Sequence, residues 1–188
     1  MTAAREKVQD DLGYVRDVVT RAERGESPQM IWYLWALVGL VGFALIDFAP
    51  ARVPLYWSIA APLGFALSAW LGWRHGRDTG QLSWREGRGH LLHWGGMLVA
   101  VFLLVPLAEA GGWSGEALAQ AILLILALGY FLAGVHLCRP LAWVGLLMAV
   151  GYVAVFFVDR YAWTAIGALV ALGLVVTARA TGEVRGGR

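Results

Sequence analysis

Residues 30–48 read MIWYLWALVGLVGFALIDF. Nothing in the stretch is charged before Asp47. At 1.5 Å per residue such a run is long enough to cross a hydrocarbon layer of about 30 Å as a helix. Five more stretches fit the same pattern, at 56–73, 91–109, 117–137, 141–158 and 162–178. The fourth and fifth nearly touch at HLCRPLAW, where Arg139 and Pro140 mark the break, because the residue before a proline is pushed out of the helical region. The expected fold is all-α: a polytopic membrane protein with six transmembrane helices as three hairpins, preceded by an amphipathic cytoplasmic helix.

Composition agrees. Of 188 residues, 59% are hydrophobic and 15% charged, against about 25% charged in soluble domains. Twenty-four glycines and ten tryptophans fit a membrane chain, since Gly is tolerated in membrane helices and Trp collects at the lipid–water boundary. A net charge of +2 gives no footing for nucleic acid. The single cysteine, Cys138, has no second thiol with which to close an internal disulfide. Fourteen of the fifteen basic residues are Arg, a bias suggesting a GC-rich bacterial genome.

Basic residues set the expected orientation. Arg5, Lys7, Arg16, Arg21 and Arg24 precede the first span, and Arg74, Arg77, Arg85 and Arg88 follow the second. Arg139 follows the fourth, and Arg179, Arg185 and Arg188 close the chain. The opposite side holds only Arg52 and Arg160. Positive charge stays cytoplasmic, so the expectation is a multi-pass inner-membrane protein with both termini in the cytoplasm. Residues 1–28 are expected to form a cytoplasmic amphipathic helix and linker, 29–179 the membrane domain, and 180–188 a flexible cytoplasmic tail. Residues 1–29 are too charged for a signal peptide, so the first span should stay as an anchor. The ten tryptophans fall near predicted span ends or, for Trp84, in an inner loop, and are read as interfacial anchors.

A repeat is visible. The first helix of each hairpin opens on YLWALVG, LHWGGML or LAWVGLL. The second opens on Trp57-Ser58, Trp113-Ser114 or Trp163-Thr164, pairs that suit an interfacial ring followed by a hydroxyl cap. Three tandem hairpins with Trp-led starts and Gly-rich spans resemble the HdeD family of bacterial inner-membrane proteins, over residues 30–178. That resemblance implies an association with acid resistance. The WALVGLVGFALIDF and LGYFLAGVHL stretches also resemble uncharacterised bacterial membrane proteins bearing a charged N-terminal helix. Neither likeness supplies catalytic residues.

Residues 3–24 carry a stripe of Ala4, Val8, Leu12, Val15, Val19 and Ala22 at helical spacing. Such a helix could lie on lipid, fold back over the cytoplasmic ends, or pair with a second copy or a cytoplasmic protein. Its acid-leaning charge disfavours the lipid surface. In the second span Ala60, Gly64, Ser68 and Gly72 recur every four residues, a small-residue ridge on which another helix can lie. Ala61 is expected to face elsewhere.

His90 and His93 share one helical face. The predicted topology brings His136 to the same side of the membrane, so His93 and His136 are candidate haem ligands, with Met97 or Cys138 as softer partners for a metal. His90, His93 and His136 are also candidates for pH sensing. Arg74, Arg77, Arg85 and Arg88 lie in the longest predicted connection, 74–89, and are candidates for binding lipid headgroups or a cytoplasmic partner. On the outer side Asp47, Glu109, Glu116 and Asp159 form a mildly acidic rim. The spans carry no nucleophile–base set, paired carboxylates, phosphate loop or zinc spacing. The expected function is therefore non-enzymatic: a regulatory or stress-related membrane component acting through association, with a small transporter or channel second and a haem or metal protein third.

Overall fold

A computed structural model describes residues 28–79, 84–158 and 160–186, together with Gly13, which is helical. The stripe of residues 3–24 otherwise lies outside the described residues. Six α-helices follow Pro28: α1 (Gln29–Phe48), α2 (Val53–Thr79), α3 (Trp84–Ala110), α4 (Gly115–His136), α5 (Pro140–Ala154) and α6 (Ala162–Gly186). Five contain stretches long and apolar enough to cross a membrane, and α5 is a shorter apolar helix.

Local chemistry sets the ends. Pro28 starts α1 and Pro50 stops it, because proline brings no N–H to a helix and restricts the residue before it. Ser114 caps α4, its hydroxyl oxygen accepting from the Ala117 N–H at 3.1 Å. Glu116 in the first turn and His136 in the last suit the α4 dipole. Pro140 occupies the first turn of α5, where a missing N–H costs nothing.

The segment expected as a loop, 74–89, is mostly helix, since α2 runs to Thr79 and α3 starts at Trp84. Hydropathy marks where lipid ends, whereas a helix continues into water as long as its residues allow it. At the chain's end α6 likewise continues to Gly186, into the segment expected as a tail.

The two helices of each expected hairpin touch, but they are not the closest pairs. The closest pairs are α1 with α6 and α4 with α5, each joining two different predicted hairpins, and α2 touches α3 least. Glycine permits the close pairs. A Cβ on Gly145 would stand 2.7 Å from the Ala127 carbonyl oxygen, and one on Gly134 would strike the backbone of Ala142. A Cβ on Gly167 would stand 2.7 Å from that of Phe43. The core is built by α1, α4, α5 and α6 from Trp32, Phe43, Leu123, Val144, Met148 and Leu174. Among the described residues, α2 and α3 bury one hydrophobic side chain each, Ala61 and Ala108.

Two polar clasps fix α1 against α6 as an antiparallel pair. At one end Gln29 Nε2 donates to the Ala178 carbonyl oxygen at 2.9 Å. At the other, Asp47 Oδ2 accepts from the Thr164 N–H at 2.7 Å and the Thr164 hydroxyl at 2.5 Å. The Thr164 N–H lies in the first turn of α6, where backbone donors lack helical partners, so Asp47 caps a helix from more than a hundred residues away.

The three Trp–hydroxyl pairs therefore do three different things. Ser114 is a cap, Thr164 is held by Asp47, and Ser58 donates back to the Pro54 carbonyl oxygen at 2.6 Å inside α2. The tryptophans do not all face outward. Trp32 and Trp163 are buried, with Trp163 stacked on Phe43 at 6.2 Å.

Candidate functional site

The small-residue face of α2 meets α1 through tryptophan. Trp35 Nε1 donates to Ser68 Oγ at 3.0 Å, and a Cβ on Gly64 would stand 3.3 Å from the same indole. Trp57 crosses in the other direction and fills the space beside Gly42. The docked face is thus Trp57, Ala61, Gly64 and Ser68. Of the predicted ridge, Gly64 and Ser68 belong to it. Ala60 is only half-buried, and a Cβ on Gly72 would meet nothing within 4 Å. Ala61, expected to face elsewhere, is 8% exposed. A fixed step of four drifts around a helix of 3.6 residues per turn, so the true face tracks back from 60 to 61.

The histidines separate. His93 Nε2 donates to the Gly129 carbonyl oxygen at 3.0 Å, which places the ring proton on that nitrogen. The His93 ring meets Trp94 edge-on at 5.0 Å, and Trp94 meets Tyr130 the same way at 5.0 Å. His93 is thus built into the α3–α4 contact, where Met97 also packs on Gly129. His136 lies seven residues beyond Gly129, roughly 10 Å along α4, and is exposed. The two rings are not brought to one plane, so the expected haem pair is corrected to a packing histidine and a surface histidine. His90 sits one turn before His93 and is half-buried. Among the described residues no three His, Cys, Asp or Glu side chains gather as metal ligands.

Cys138, in the short connection between α4 and α5, is 2% exposed. Burial pushes its thiol up to about 11. A thiol so raised stays protonated near neutral pH, and the thiolate is the reactive form and the metal ligand.

Arg74, Arg77 and Arg88 are exposed. The Arg74 guanidinium lies over the Trp70 ring at 5.5 Å and that of Arg77 over Trp73 at 5.7 Å. Arg74 also approaches Asp78 at 3.8 Å. Arg85 lies on the first turn of α3, and its side chain is outside the described residues.

At the opposite end Asp47, Glu116, Val155, Val158, Ala162 and Trp163 line a recess of about 250 Å³. Two of the four rim acids therefore line one recess. Glu109 is exposed at the end of α3, and Asp159 lies outside the described residues. Sequence reasoning missed the capping role of Asp47. Its signal was a carboxylate one residue before the end of an otherwise uncharged span.

Comparison with family models, curated proteins and solved structures finds no match.

Proposed function

We propose that this chain is a six-span protein of the bacterial inner membrane with both termini cytoplasmic, acting by association with other proteins in a regulatory or stress-related role, without chemistry of its own. The observation that carries the reading is the filling of the helix core. From Trp32 and Leu174 through Val144 and Met148 to Phe43 and Ile166, the buried side chains are apolar, and the buried polar one among the described residues, Thr177, spends its hydroxyl on the Gly173 carbonyl oxygen of its own helix. A route for ions or polar solutes needs polar groups or a wetted cavity at depth, and a solid apolar core supports a scaffold instead. The antiparallel α1–α6 clasp supports an even number of crossings, because it sets both ends of the membrane region on one side. The arginine bias supports that side being the cytoplasm.

A small transporter is the second reading, favoured by the recess that Asp47 and Glu116 line. Purified protein in liposomes separates the two. The association reading expects ion and solute leak equal to empty vesicles, together with cross-linked protein partners in membranes that vanish when residues 1–25 are deleted while the helical content of the membrane part persists. Saturable flux abolished by Asp47→Asn would overturn it.

A further inference from the structure

Trp57, Ala61, Gly64 and Ser68 turn one face of α2 towards α1. The opposite flank carries Leu63, Leu67, Trp70, Arg74 and Arg77 at steps of four, three, four and three, with Trp73 beside them. These positions form one continuous helical face. All six are exposed, Trp70 and Trp73 being 48% and 52% accessible. Read along the helix, the face is an apolar track, then two indoles, then two guanidinium groups.

We propose that this face holds an anionic glycerophospholipid, its phosphodiester bridged by Arg74 and Arg77 and its acyl chains lying along Leu67 and Leu63. The order of chemistry along α2 is the order of a lipid from headgroup to tail. Indoles favour the ester and headgroup layer, and guanidinium forks bind phosphate oxygens in pairs. Each fork is already stacked on an indole four residues earlier, so little side-chain freedom is lost when phosphate arrives. The two arginines are three residues apart, with Cβ atoms about 5–6 Å from each other, close enough to converge on one headgroup. Asp78 is the competing acid. Its contact with Arg74 is a single one at 3.8 Å between groups 62% and 64% exposed, too weak to occupy the fork.

Charge selects an anionic lipid over a zwitterionic one. In the described helices and connections at this end of the bundle, seven arginines (Arg74, Arg77, Arg85, Arg88, Arg139, Arg179 and Arg185) outnumber three acids, Asp78, Glu86 and Glu183. The proposal rests on the membrane reading above but not on its orientation.

The test uses the full chain in mixed micelles of mild detergent with equal phosphatidylglycerol and phosphatidylethanolamine, followed by mass spectrometry of the lipid retained on the intact protein. The expected result is enrichment of phosphatidylglycerol, falling about tenfold or more in Arg74→Gln/Arg77→Gln, because each basic residue contributes separately to anionic-lipid attraction. Arg139→Gln, which removes a charge elsewhere at the same end, should change retention by less than about twofold. Equal retention of the two lipids by the unaltered chain, or an unchanged ratio in the double variant, would overturn the proposal. Mixed micelles have no sides, so a wrong orientation cannot produce either failure; orientation is read separately, by labelling intact cells.

Discussion

Asp47 is the residue on which most depends. One carboxylate oxygen takes a backbone N–H and a hydroxyl from Thr164, tying the end of α1 to the start of α6. Hydrogen bonds to a charged group contribute about 1.5–3 kcal/mol each, and a donor left without a partner in a partly buried site adds to the loss. Asp47→Ala should therefore lower unfolding stability by about 3 kcal/mol, and Thr164→Val by about half as much, since the backbone donor then remains bonded. Unfolding titrations with a denaturing detergent, followed by helical signal, check both. Equal losses from the two variants would place the interaction in the hydroxyl alone. The sequence showed Asp47 as an acid near a span end and Thr164 as a residue suited to a helix start. Their pairing was invisible because 117 positions separate them.

Hydropathy made the helices legible and left their partners illegible. In water a helix announces its buried face by amphipathicity. In lipid both faces are apolar, so the signal distinguishing a core-facing leucine from a lipid-facing one is nearly erased. Leu123 is 1% exposed and Leu124 47%, yet they are the same residue side by side. What survives is the distribution of small residues, and it was only partly read. Of the expected α2 ridge, Gly64 and Ser68 lie on the docked face while Ala61 takes the place of Ala60, and the closer crossing of α4 and α5 through Gly134 and Gly145 was missed. The tryptophans carry a second ambiguity, because ring size suits interfacial anchoring and interhelical packing equally well until contacts are seen. Gly145→Ala should destabilise by about 2 kcal/mol or more, because the neighbouring atoms are helix backbone and cannot move aside. Gly72→Ala, with open space around its Cβ, should be neutral or stabilising by up to about 1 kcal/mol through helix propensity. The same detergent titration reads both, and similar effects at the two sites would contradict the glycine-mediated crossing.

Across the described bundle, α1 closes on α6. That closure joins the ends of the membrane region, organises a core from α1, α4, α5 and α6, and leaves α2 and α3 mostly uncovered at the flank. The uncovered flank explains why a lipid-binding face and the docking of other proteins can be sought on α2 and α3 without disturbing the core. The most direct test is cysteine cross-linking within the membrane in a Cys138→Ala background. Gln29→Cys paired with Ala178→Cys should give an intrachain cross-link with a short reagent, whereas Gln29→Cys paired with Thr164→Cys, at the far end of the same helix pair, should give none. A cross-link in the second pair and none in the first would contradict the closure, and with it the proposed even number of crossings and the proposed shared side of the two ends.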